Sequence, residues 1–314
     1  MRLLVLGGVP QGSVIAALLF ILFINDLAAF LNKKISVDVL KSVFMLLLFA
    51  DDILFVISSQ LLENLEIDAN IIMNFLLQWC KLCFLSFNDE KTVYMLIQRR
   101  VQHDQCFSIF VGDRQIEEVQ ALKYLGLYLD NKMTFEKHIE NVRSKLRSAI
   151  FVLRVLSKFC EVKILLLAYH ALVGSHLNYC VNTWAFASGG KLKSVFTLQK
   201  KAIRAIFKLS CEESCREYFQ RNEILTLPGL ISLNYLKLLK ANLNNGTQEI
   251  GHSYNTRNKE ISALMKQSVY MAKSEKVFNK LPDIVKSIPI ADPLFLNKAK
   301  EHILNDCPYN FNEF

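Results

Sequence analysis

The segment from Val43 to Ile57 constrains the fold more than any other part of this 314-residue chain. Two apolar runs, Val43-Phe44-Met45-Leu46-Leu47-Leu48-Phe49 and Ile53-Leu54-Phe55-Val56-Ile57, flank Ala50-Asp51-Asp52. Apolar runs of that length on either side of turn-forming residues read as strands, so a β-hairpin is expected whose turn region carries both carboxylates. A lone hairpin is marginal in water and needs a packed cover. The next segment supplies one. From Leu61 to Cys83 the residues Leu62, Leu65, Ile67, Ala69, Ile72, Phe75, Leu76, Trp79 and Leu82 recur at helical spacing, predicting a helix that covers one face of the sheet.

Two adjacent aspartates between apolar runs need a physical reason. Like charges a few ångströms apart raise each other's pKa, and desolvation adds to the cost. A divalent cation removes the conflict, and magnesium takes one or two carboxylates together with substrate phosphates. Taken alone, Asp51-Asp52 is explained as well by a solvated turn. Its setting tips the balance. Upstream lies Gly8-Val9-Pro10-Gln11-Gly12-Ser13, a turn with glycines, an amide side chain and a helix N-terminus whose free donors suit a phosphate or a base edge. Ser13 stands where it would cap an apolar helix running to Phe30.

Further along, Thr92–Ile97, Cys106–Val111 and Ile116–Val119 read as short strands, the last two joined by Gly112-Asp113-Arg114, and Tyr124–Leu129 as another. Beyond Asp130 the pattern changes to basic amphipathic helices over 135–159, 162–173, 191–209 and 230–243, with Asn244-Asn245-Gly246 as a stop. Helices are expected again over 261–281 and 293–304. Charge divides with the pattern: 10 basic and 14 acidic residues through Asp130, then 27 basic and 15 acidic. Lys137, Arg143, Lys145, Arg147 and Arg154 fall on one expected helix and Lys200, Lys201 and Arg204 on another. Such residues neutralise phosphates without reading sequence, although solvated helix faces account for part of them.

Composition excludes other classes. With 52% hydrophobic residues, 11 Gly and 6 Pro, the chain is neither disordered nor linker-like. The longest apolar run, Val14 to Ile24, is about half the ~20 residues of a spanning helix, so no membrane partner is expected. Eight cysteines, several inside apolar helical patterns, suit a reducing, intracellular setting, nucleus or cytoplasm. Cys80-Lys81-Leu82-Cys83 and the looser Cys211–Cys215 spacing, both placed within expected helices, offer only a weak zinc signal against the plainer reading of buried thiols.

The ordered set Gly-Val-Pro-Gln-Gly-Ser, Phe23-Ile24-Asn25-Asp26-Leu27 and Phe49-Ala50-Asp51-Asp52 resembles the reverse transcriptases (RNA-directed DNA polymerases) of non-LTR retrotransposons, jockey-type mobile elements especially. The similarity continues through Leu85-Ser86-Phe87-Asn88-Asp89-Glu90-Lys91-Thr92, Tyr124-Leu125-Gly126-Leu127, Phe135-Glu136-Lys137-His138-Ile139, His176-Leu177-Asn178-Tyr179-Cys180, Leu198–Arg204 and Tyr254–Arg257. The resemblance implies an α+β fold. Residues 1–130 would form a partial polymerase palm, an antiparallel sheet with packed helices, residues 131–245 a helical thumb-like region, and 246–314 a polar, partly helical tail.

It also implies roles. Asp51 and Asp52 stand at the palm's metal-binding pair, Asp51 as the direct ligand, in a two-Mg2+ site with metals ~3.5–4 Å apart. Gln11, Gly12 and Ser13 would line the pocket for template and incoming nucleotide. Lys91 would sit near the triphosphate, where its bland reading is a solvated lysine at a strand start, and Tyr124, Leu125 and Gly126 would form the primer grip. The partners implied are an RNA template, a DNA primer and a deoxynucleoside triphosphate. A non-enzymatic remnant that binds nucleic acid or protein is the alternative.

The family's further catalytic carboxylate lies on a strand before the Gly-Val-Pro-Gln-Gly-Ser turn, and here no Asp or Glu precedes Asp26. The reading is therefore of an N-terminally truncated polymerase in which the second metal is poorly held. Primer extension by this chain alone, on an RNA template with magnesium, is expected to give no incorporation. Robust incorporation that disappears with Asp51→Ala would overturn this expectation.

Overall fold

The computed structural model describes residues 13, 15–35, 40–98, 107–245 and 269–311. The chain divides at Gln120/Ala121 into two compact units.

The first unit contains α1 (Ala16–Lys34), the strands β1 (Val43–Phe49) and β2 (Asp52–Ser58), α2 (Leu62–Leu82), and four two-residue strands: β3 (Val93–Tyr94), β4 (Phe110–Val111), β5 (Arg114–Gln115) and β6 (Glu117–Glu118). The hairpin forms as the sequence predicts. Pairing runs from Val43↔Ser58 to Phe49↔Asp52 and leaves Ala50 and Asp51 as a two-residue turn. Ala50 takes φ +49°, a left-handed conformation that this Cβ-bearing residue adopts because two-residue hairpin loops demand it.

The period of two then sorts the side chains. Phe44, Leu46, Leu48, Ile53, Phe55 and Ile57 pack against a core formed by Ala69, Met73, Leu76 and Trp79 of α2 with Ile24, Leu27 and Leu31 of α1. Val43, Met45, Phe49 and Val56 face the other way and are exposed. The expected helical cover is α2.

Helix α1 starts later than its sequence suggests. Its N-cap position is Ile15, without a side-chain cap, and Ser13 contributes only its carbonyl, which accepts from the Ala16 amide at 3.2 Å. The expected Ser13 cap is corrected accordingly, because the residue lies outside the first turn. At 19 residues α1 is also long and apolar enough to cross a membrane by length and composition alone, contrary to the estimate from the Val14–Ile24 run. Its inner stripe is nevertheless part of the core, and the Trp79 indole donates to Asp26 at 3.4 Å.

The expected single antiparallel sheet is also corrected, since the described strands form four separate two-stranded ladders, of which β3–β6 is parallel. Polar side chains of α2 hold the short strands: Asn70 Oδ1 accepts the Phe110 amide at 2.8 Å, and Glu66 accepts the Ser108 amide at 3.1 Å. Gly112 supplies the left-handed residue of the β4–β5 turn, with φ +62°.

The second unit opens with the hairpin β7 (Ala121–Tyr124) and β8 (Leu127–Asp130). The sequence reads Tyr124–Leu129 as one strand, but Leu125 and Gly126 at φ +46° and +84° turn the chain back. Helices follow: α3 (Glu136–Leu156), α4 (Val162–Tyr169), a π-helical turn His170–Gly174, α5 (Ser175–Asn178), α6 (Val181–Trp184), α7 (Gly189–Phe207), α8 (Arg216–Arg221) and α9 (Leu227–Asn245). The helix expected over 162–173 is thus interrupted at its end by the π turn.

Asp130 organises the entry to α3. Its carboxylate accepts the Thr134 amide at 2.9 Å, the Thr134 hydroxyl at 3.2 Å and the Phe135 amide at 2.6 Å, while Met133 and Phe135 adopt positive φ. The inward stripe Ile139, Val142, Leu146, Ile150 and Leu153 of α3 shares a core with Val195, Ala202 and Ile203 of α7. Helices Val269–Asn279 and Pro293–Asp306 add Phe278, Phe295, Ala299 and Ile303 to the same core. Asp292 caps the last of these, accepting the Leu294 amide at 2.8 Å beside Pro293. Residues 261–268 of the expected tail helix lie outside the described residues.

The described cysteines are free thiols, and Cys211 and Cys215 precede α8 rather than sitting within a helix. No group of three or more metal-ligating side chains occurs among the described residues.

Two stability measurements follow from this packing. Leu146 is fully buried, and Leu146→Ala should cost about 2–5 kcal/mol in chemical denaturation followed by helical ellipticity. His138 is buried and its pKa is held below the ordinary histidine value by desolvation. The unfolded chain therefore binds that proton more readily, so stability is fully present above about pH 6.5 and is lost as pH falls through the lower folded value. Thermal unfolding from pH 7.5 to 5 should show the loss, and His138→Gln should flatten it.

Candidate functional site

Asp51 and Asp52 come together because the turn between β1 and β2 has only two residues. Asp51 is the second turn residue, and Asp52 opens β2 opposite Phe49. Both are exposed, so the desolvation cost anticipated from the apolar flanks does not arise at the hairpin tip, while the like-charge proximity remains. Among the described residues neither carboxylate has an ion-pair or hydrogen-bond partner. Two adjacent carboxylates in solvent are hard oxygen donors free to take a cation, and they match the one or two that magnesium draws from a protein. The residues present thus fit the protein share of such a site.

Lys91 lies in the same unit. Asn88 shapes its loop, with Oδ1 accepting the Lys91 amide at 3.1 Å and the carbonyl accepting the Thr92 hydroxyl at 2.8 Å. Arg114 ties the loop to β5 by pairing with Asp89 at 3.3 Å. The Lys91 side chain is exposed and unpaired among the described residues, so its ammonium is available to an anion. Gln11 and Gly12 lie outside the described residues. Ser13 is half-buried just before α1.

Tyr124, Leu125 and Gly126 belong to the second unit, where they form the β7–β8 turn. Tyr124 pairs with Leu127, both central residues have positive φ, and Gly126 is exposed. Of the basic residues counted toward a nucleic-acid face, several have internal partners. Glu140 pairs with Arg143 at 2.6 Å and Arg147 at 3.0 Å. Arg204 donates to the carbonyls of Ser210 and Glu213 at 3.1 and 3.0 Å. Lys200 lies 4.9 Å above the Phe196 ring, with its pKa lowered first by burial. Lys201 and Arg154 remain exposed.

Sequence reading gave no role to Tyr179, whose hydroxyl donates to the Leu125 carbonyl. Its presence in His176-Leu177-Asn178-Tyr179-Cys180 was the available signal, but a contact across 54 positions carries no local pattern.

Comparison with known proteins agrees with the motifs. Residues 3–129 match the family described as reverse transcriptase (RNA-dependent DNA polymerase). The chain is 27% identical over 227 residues to the probable RNA-directed DNA polymerase from transposon X-element of Drosophila melanogaster, covering 70% of this chain and 23% of that protein. It is 27% identical over 207 residues to the RNA-directed DNA polymerase from mobile element jockey of the same species, covering 64% and 22%. A retrovirus-related Pol polyprotein from type-1 retrotransposable element R1 2 of Nasonia vitripennis is 24% identical over 188 residues, covering 56% and 43%. The chain thus spans less than a quarter of the length of the X-element and jockey relatives. No solved structure matches it. The hairpin with its paired aspartates and the ordered motifs around it lie within the segment, residues 3–129, that matches the reverse transcriptase family, and the chain is similar to RNA-directed DNA polymerases of non-LTR mobile elements.

Proposed function

We propose that the chain contributes to RNA-templated DNA synthesis, with residues 1–130 as a partial palm, 131–245 as a thumb and 246–314 as a tail. The reaction is in-line attack of a primer 3′-hydroxyl on the α-phosphate of a deoxynucleoside triphosphate, releasing pyrophosphate. The observation that carries the reading is the solvent-facing Asp51-Asp52 pair at the tip of a two-residue hairpin, inside the segment matched to the reverse transcriptase family.

Asp51 and Asp52 would hold divalent metal, Asp51 as the direct ligand. Magnesium held there would supply charge stabilisation for such a displacement. The carboxylates fix where the cation's charge lies, and the Ala50–Asp51 turn fixes the carboxylates. Lys91 offsets charge on the departing pyrophosphate or gives it a proton, which its free ammonium suits. Gln11, Gly12 and Ser13 contact template and nucleotide, and the Tyr124–Gly126 turn holds the primer end. The exposed basic residues of the helical unit bind the duplex through phosphates. Template, primer and triphosphate are the partners, and the setting is intracellular. No observation favours the non-enzymatic alternative.

The test exchanges the matched segment of the Drosophila melanogaster jockey polymerase for residues 3–129 of this chain and measures primer extension on RNA with magnesium. Asp51→Asn in that chimera should lower incorporation by about 100-fold or more, whereas Asp113→Asn in the β4–β5 turn should not. Equal activity of the Asp51→Asn and parent chimeras would overturn the metal assignment.

A further inference from the structure

Two motifs have no role in the chemistry above: Phe135–Ile139, at the start of α3, and His176–Cys180, at the end of α5. Both converge on the β7–β8 hairpin. The Tyr179 hydroxyl donates to the Leu125 carbonyl inside the turn, and a Cβ placed on Gly126 would lie 3.5 Å from the Tyr179 ring. The ring therefore roofs the one residue of the turn that has no side chain.

Tyr179 is itself held from behind. Its carbonyl accepts the Trp184 indole N–H at 2.9 Å, and Trp184 is fully buried. The His138 ring packs on Trp184 with centroids 6.1 Å apart, and His138 Nδ1 faces the Tyr128 amide of β8 at 3.5 Å. The chain of contacts runs from the turn through Tyr179, Trp184 and His138 back to the strand that leaves the turn. A two-residue turn bearing a non-glycine residue at φ +46° has little stability of its own. Held at both the turn and the outgoing strand, it is fastened to the helical core while staying at the surface.

We infer that Tyr179 is a positioning residue for the Leu125–Gly126 turn, with Trp184 and His138 as its support, so that the turn presents its backbone to a primer 3′ terminus in one fixed geometry. This rests on the primer-grip reading of that turn. Tyr179 acts through Leu125 and Gly126 and need not touch the primer. A residue that only filled the core would change the stability of the unit without changing how the turn meets the primer end.

The experiment uses the full chain with Tyr179→Phe, which keeps the ring and removes the donor, and Trp184→Phe, which removes the donor to Tyr179. Hydrogen exchange is followed in peptides covering 121–130. A DNA primer on an RNA template carries 2-aminopurine at its 3′ terminus, and a second duplex carries a dye at the far end. For Tyr179→Phe, exchange in 121–130 should quicken by about 2- to 10-fold, the range one neutral hydrogen bond supports, and the 3′-terminal fluorescence response should weaken. Affinity reported by the distal dye should change by less than about 2-fold, because phosphate contacts dominate it.

Unchanged exchange in both variants overturns the inference. So does quickened exchange with a 3′-terminal response equal to that of wild type. If the wild-type chain gives no 3′-terminal response, the primer-grip reading fails on its own, and the exchange arm still decides whether Tyr179 fixes the turn.

Discussion

The first unit depends on the length of one turn. Because only Ala50 and Asp51 separate β1 from β2, Phe49 must pair with Asp52, and every other residue pair of the hairpin follows from that register. A slip of one position would exchange the faces, turning Phe44, Leu46 and Leu48 outward and bringing a different apolar set, Val43, Met45 and Phe49, against α2. The same register puts the two carboxylates side by side at the tip. Fold and candidate chemistry are thus set by a single geometric condition, met at the expense of a left-handed alanine.

The second unit is built differently. Its core is a seam of helices, and its hairpin is fastened to that seam by side chains from far along the chain. Asp130 anchors the descent from β8 into α3 through three hydrogen bonds. Residues 269–311 close the same core, with Gln220 donating to the Asn305 carbonyl at 2.6 Å and Thr226 to the Pro308 carbonyl at 2.7 Å. These bonds span more than 80 positions, so the tail is integral to the helical unit.

What the sequence made legible was whatever has a short period. The two apolar runs of 43–57 broken by one acidic turn, the helical spacing in 62–82 and the stripe of α3 each predict an element that is present. Single residues misled where they have two uses. Ser13 has a capping side chain but lies a turn before its helix, and Leu125-Gly126 looks like the middle of an apolar strand although only its glycine hints at a reversal. The π turn at His170–Gly174 adds one residue to a helical turn, which apolar periodicity does not register. Of the candidate site, the Asp pair was readable because charge between apolar runs is costly and therefore conspicuous. The Tyr179–Leu125 contact was not, because nothing in either residue's neighbourhood encodes the other.

The outward face of the first hairpin has a consequence for handling the protein. Val43, Met45, Phe49 and Val56 are exposed on a ribbon whose two edges bond no further strand among the described residues. An apolar ribbon with open edges is a template for strand addition from another chain, and only Asp51 and Asp52 at its tip bear charge. The only charges on this ribbon are thus the same two carboxylates proposed to bind metal. A cation held there would cancel the only charge on the ribbon, so protection of its open edges and cation loading would draw on the same two side chains.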